Sequence, residues 1–159
     1  LHLCPDVGYA YTPFGEQLKV DSPGSDNPWL ALFGSLEFPT GEGIYTLHER
    51  KRALEFINHL QRLIDTDSRA FWFVVLDNAS AHKTEHVQAF AAQHHQRLEL
   101  VFLPTYSPHL NLIERLWRLM RSQVTRNFFA RSLQALALAV VQWLDKLSFE
   151  QFVSLLGAE

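Results

Sequence analysis

The sequence predicts an α/β fold, a mixed β-sheet flanked by helices, and three observations carry that expectation. A hairpin pattern of two strand-like runs fills residues 29–48. A continuous aromatic and β-branched run, AFWFVVL, fills residues 70–76. From there on, stretches with helical three-and-four spacing alternate with short strand-like runs.

Taken in order, residues 1–28 are rich in turn formers (Pro5, Gly8, Pro13, Gly15, Pro23, Gly24, Pro28), with short extended pieces expected at 1–4 and 16–20. WLALFGSLEF (29–38) is a strand, Pro39, Thr40 and Gly41 turn the chain, and GIYTLH (43–48) returns it as the second arm of a β-hairpin. Leu54, Ile57, Leu60 or Gln61, and Ile64 recur at helical spacing, so an amphipathic helix is expected over 50–65. Residues 70–76 read as a buried central strand, because no polar residue interrupts them. A helix over 84–95 and a strand LELVF (98–102) follow. After a proline-punctuated loop, Leu110, Ile113, Trp117, Met120 and Val124 step along one helical face. A helix over 132–147 and a shorter one over 148–156 complete one domain spanning 1–159, with no internal repeat.

The 159 residues are 47% apolar, with 12 Phe and 4 Trp, enough to build a core. A net charge of −3 and 19% charged residues exclude a disordered or strongly basic chain. No apolar run approaches the roughly 20 residues that span a bilayer, so no membrane partner is expected. A single cysteine, Cys4, excludes an internal disulfide and suits a reducing compartment such as the cytoplasm. Charge is uneven, however. Between Pro104 and Arg131 stand Arg115, Arg118, Arg121, Arg126 and Arg131 against one acid, Glu114. Such a patch is either a solvated helix face or a phosphate-binding surface.

Two motifs could carry chemistry. In 74-VVLDNASAHK-83, Asp77 directly follows the apolar strand, where a loop at the carboxyl edge of a sheet commonly builds a site. Asp77 could equally serve a turn. A nucleotide-hydrolase reading fails, since no G-x-x-x-x-G-K-[ST] stretch exists. In 104-PTYSPHLNLIERLW-117, Glu114 stands near a helix start. It could complete a capping box with Asn111 or pair with Arg118 four residues on. Jointly, the two carboxylates could converge on a hard divalent cation, which prefers oxygen ligands. His82 and His86 could bind zinc if both lay on one helix, yet neither an H-E-x-x-H motif nor a cysteine cluster accompanies them or His94, His95 and His109. No G-x-S-x-G nucleophile elbow is present, and nothing marks Cys4 as reactive.

The segments LDNASAHK and LPTYSPHLNLIERLW together resemble the paired signature of the DDE superfamily endonucleases, the catalytic domains of bacterial insertion-sequence transposases related to the mariner group. GYAYTPFGE (8–16) and FGSLEFPTGE (33–42) also resemble segments of that family, so the likeness runs along essentially the whole chain. Leu112 and Thr105 stand where the family usually has proline, and Tyr11 where it has tryptophan.

The resemblance implies a ribonuclease H-like fold and metal-dependent cleavage and strand transfer of DNA at a mobile element, with Mg²⁺ or Mn²⁺ held by three acids. Two ions are expected once the triad is complete. Asp77 would be the second acid and Glu114 the third, with 36 residues between them. The first would lie just upstream of Leu1, making this chain an incomplete fragment, with Asp6 the nearby substitute. Lys83, Arg115, Arg118 and Arg121 are implied DNA-backbone contacts, and Asn78, His82 and Asn111 are expected to order the site. Element ends and target DNA are the implied partners, a homodimer is a possible assembly, and no small-molecule cofactor is implied. Two alternatives stay open: a non-catalytic DNA-binding or assembly relative on the same fold, and a metal-dependent nuclease that nicks without strand transfer.

Overall fold

The computed structural model describes residues 1–2, 14, 19, 28–38, 40–105, 107, 110–126, 128, 130–148, 150, 151 and 154. The expectations for Cys4, Asp6 and His109, and most of those for the segments 16–20 and 148–156, fall outside these residues.

Strands β1 (Ala31–Leu36) and β2 (Gly43–His48) pair antiparallel, with Ala31 opposite His48 and Leu36 opposite Gly43. The turn works because Gly41 takes φ 78°, a left-handed conformation that costs glycine nothing. Its N–H donates to Glu37 O at 2.9 Å, and Glu37 N donates to Glu42 O at 2.8 Å. At the other end Leu1 pairs with Leu30 through two backbone bonds of 2.7 and 2.8 Å, and His2 forms an antiparallel bridge with Trp29.

Helix α1 (Ala53–Thr66) packs Phe56, His59, Leu60 and Ile64 toward the strands. Strands β3 (Trp72–Leu76) and β4 (Leu98–Phe102) pair parallel and are connected through α2 (Glu85–Gln93). Thr84 caps α2, its hydroxyl accepting from Val87 N. Helix α3 (Leu112–Met120) runs into one π-helical turn over Arg121–Thr125, and α4 (Leu133–Asp145) is capped by Ser132, whose hydroxyl accepts from Ala135 N at 3.1 Å.

Of three buried clusters among the described residues, the two larger lie one on each side of the hairpin, and a small third joins Ala130 and Leu136. Ala31 and Phe33 join Phe56, Leu60, Ile64, Leu76, Val87 and Leu98 beneath α1 and α2. On the opposite side, Leu32, Leu36 and Tyr45 meet Leu116, Met120, Val140 and Leu144 of α3 and α4. Strand alternation separates the two sets.

The mixed α/β architecture is as expected, its strands forming two two-stranded ladders among the described residues. Two expectations need correction. Strand β3 is not buried on both faces: Trp72, Val74 and Leu76 turn inward, while Phe71, Phe73 and Val75 remain 44%, 66% and 54% exposed. An apolar run fixes strand character but not the covering of both faces. On α3 the innermost residue is Leu116, fully buried, whereas Leu110 precedes the helix and is exposed.

Candidate active site

Parallel pairing of β3 and β4 sends the loops after both strands out of the same sheet edge. Leu76 lies opposite Phe102, and Leu103 N donates to Leu76 O at 2.9 Å. Asp77 is the first residue beyond β3. Asn78 ties the two loops together, its Nδ2 donating to Leu103 O at 2.5 Å. The second loop then enters α3, which carries Glu114 in its first turn. Two carboxylates with 36 residues between them are thus delivered to one place.

A cavity of about 260 Å³ lies there, lined by Asp77, Asn78, Ala79, Leu103, Pro104, Ser107, Asn111 and Glu114. One carboxylate oxygen of Asp77 is committed: Oδ1 accepts from Ala79 N at 3.0 Å and from His82 Nδ1 at 3.0 Å. The Ala79 bond is the turn-forming role open to any Asp after a strand. Oδ2 has no partner among the described residues. The His82 ring is set by a short 3₁₀ turn, Ser80–Lys83, and packs against Phe56 of α1 with centroids 4.2 Å apart. Its side chain is 14% exposed against 48% for Asp77, so the imidazole backs the carboxylate from the protein side.

Glu114 does not complete a capping box. Asn111 occupies the N-cap position, but its side chain makes no capping bond; the backbone of Glu114 donates to Asn111 O at 3.0 Å instead. Nor does an ion pair with Arg118 form. The side chain is half-buried at the cavity wall, without a partner among the described residues. Both local explanations for this carboxylate are therefore unrealised.

Free oxygens of Asp77 and Glu114 on one cavity fit a hard divalent cation, which takes oxygen ligands. Two carboxylates are an incomplete set, and no group of three or more His, Cys, Asp or Glu among the described residues could hold a metal. His82 and His86 do not form a zinc pair, because the first sits in the 3₁₀ turn facing Asp77 and the second is exposed on α2.

Of the expected DNA contacts, none lines the cavity: Lys83 extends over the Phe102 ring at 5.6 Å, Arg118 and Arg121 are exposed, and Arg115 is half-buried. Asn78 and Asn111 line the wall as expected residues, whereas Ser107 was not singled out from the sequence. Its signal was a serine next to a proline in the loop leading to Glu114. No helix among the described residues is long and apolar enough to cross a membrane.

Comparison with known proteins agrees with this layout. The Mos1 transposase paired-end complex with left transposon end superposes with a TM-score of 0.72 over 96% of this chain and 48% of that one, at 15% identity. The Mos1 strand transfer complex gives 0.64 over 99% of this chain and 48% of that one, at 14% identity. The fold is ribonuclease H-like. In sequence, an insertion element IS630 uncharacterized 39 kDa protein of Shigella sonnei is 30% identical over 149 residues, which are 93% of this chain and 43% of that protein. The chain therefore spans less than half the length of these relatives. A family model described as DDE superfamily endonuclease matches residues 2–137, and the chain belongs to that family.

Proposed function

We propose that this chain is the catalytic domain of a transposase that cuts the DNA of a mobile element and joins it to a target, using Mg²⁺ or Mn²⁺. The observation that carries the reading is the convergence of Asp77 and Glu114, each with uncommitted oxygen, on one cavity. When bound, such ions supply an activated water or 3′ hydroxyl and neutralise charge building on the phosphate.

The chain's own groups have distinct tasks. Asp77 presents Oδ2 while Ala79 and His82 hold Oδ1, so the carboxylate enters the cavity already oriented. Asn78 fixes the spacing of the two loops through Leu103 O. Asn111 starts the helix that carries Glu114. Lys83, Arg115, Arg118 and Arg121 contact the DNA backbone, where cations position a duplex without reading its sequence. Likeness to an IS630 protein and to Mos1 transposase complexes supports element ends and a target duplex as the substrate class, with a dimer as the proposed assembly.

The test is DNA cleavage in Mn²⁺ by the full-length protein on a duplex carrying the element's own ends. Asp77→Asn and Glu114→Gln are expected to abolish both nicking and joining while leaving DNA binding in place. Nicking that persists in either variant would refute the assignment, and nicking without joining in the wild type would indicate a nuclease instead.

A further inference from the structure

Strand β1 carries two adjacent residues, Phe33 and Gly34, that face opposite sides of the hairpin. Each leads to one of the two carboxylates. On the α1 side, Phe33 is buried and packs on Phe56 with centroids 6.1 Å apart. Phe56 stacks on His82 at 4.2 Å, and His82 holds Asp77 Oδ1 at 3.0 Å. On the other side, Gly34 lies beneath the indole of Trp117, three residues beyond Glu114 on α3. A Cβ placed on Gly34 would come within 2.7 Å of Trp117 Cη2, 2.9 Å of Cζ2 and 2.9 Å of Tyr45 Cδ1. No real side chain fits there without moving something. Tyr45 is Gly34's cross-strand partner and packs edge-on against the same indole, centroids 6.3 Å apart, so the ring is held from two sides. Backbone freedom does not explain this glycine, since Gly41 alone among the described glycines has a positive φ. What it supplies is space.

We infer that Phe33-Gly34 is the spacer that sets how far apart Asp77 and Glu114 stand: Gly34 seats α3 through Trp117, and Phe33 seats Asp77 through Phe56 and His82. These are positioning residues, none of which lines the cavity. A packed interior transmits a displaced ring to the helix bearing it, because few voids exist to absorb the change. Adding one methyl at Gly34 pushes α3, and Glu114 with it, outward from the strand. The inference rests on the proposed metal role of the two carboxylates for its functional consequence, but the geometric statement stands apart from it.

The experiment uses Gly34→Ala, Trp117→Phe and the double variant, in two measurements. Phenylalanine lacks the benzo-ring atoms Cζ2 and Cη2 that the methyl would strike, so the double variant relieves the clash. First, nitroxide labels are placed at exposed positions Ala89 on α2 and Arg118 on α3, with Cys4 replaced by serine. The mean label distance by pulsed electron resonance is expected to shift in Gly34→Ala and to return in the double variant. Second, Mn²⁺ affinity by calorimetry is expected to fall about tenfold or more in folded Gly34→Ala and to recover in the double variant. An unchanged label distance overturns the spacer. A shifted distance with unchanged Mn²⁺ affinity overturns its link to the site. If the wild type itself binds no Mn²⁺, the proposed metal role fails, and the label distances alone decide the spacer.

Discussion

Burial of His59 ties the hairpin to α1 by hydrogen bonds alone, without charge. Its Nε2 meets Ser35 Oγ and its Nδ1 meets Thr46 Oγ1, both at 2.9 Å, with the ring 1% exposed. Desolvation, aided by the nearby His48 and Arg62, lowers its pKa from 6.5 to about 4. The unfolded chain therefore takes up a proton between those values that the native state refuses. Stability is complete above pH 6.5 and declines as pH falls toward 4, by about 3 kcal/mol in total, since one pKa unit is worth about 1.4 kcal/mol. Urea unfolding of wild type and His59→Gln between pH 7 and pH 4 checks this. The variant should lose less stability over that range, and equal losses would remove His59 from the account. The sequence showed His59 only as a polar residue in a helix; its burial depends on the two hydroxyls that the hairpin brings to it.

Helices α3 and α4 were legible as helices, but the reasons they hold differ from those a linear pattern suggests. Leu116 escaped the pattern because Ile113 and Trp117 already satisfied a four-residue step, yet it is the residue sealed between the helix and its neighbours. Leu116→Ala is expected to cost about 2–5 kcal/mol through the cavity it leaves. Ser132→Ala, which removes the cap of α4, should cost only about 1 kcal/mol. Thermal or urea unfolding of both variants tests the ranking, and a larger loss at Ser132 would contradict it. Helix α1 ends on a contact no local pattern announces. The Arg97 guanidinium, from the segment before β4, donates to Ile64 O and Asp67 O at 2.5 and 2.6 Å. It satisfies carbonyls that the end of a helix leaves open. A residue 33 positions away in sequence cannot be assigned that role from periodicity.

For the molecule as a whole, strand and helix order came through the sequence closely, and so did the pairing of β1 with β2, because glycine and turn chemistry are local. Parallel pairing of β3 with β4 is long-range, and it is this pairing that brings Asp77 and Glu114 to one sheet edge. Residue type singled out both carboxylates, the motif likeness joined them, and the cavity supplies the geometry. The division of the strands into two ladders and the exposed face of Phe71, Phe73 and Val75 could not be read beforehand, since a strand's neighbours are set by tertiary packing.

One measurement bears most directly on the shared metal site: a calorimetric Mn²⁺ titration of this chain beside Asp77→Asn and Glu114→Gln. Specific binding to the wild type that is lost in both variants is the predicted result. Binding that survives unchanged in either variant would contradict a site built from the two carboxylates together.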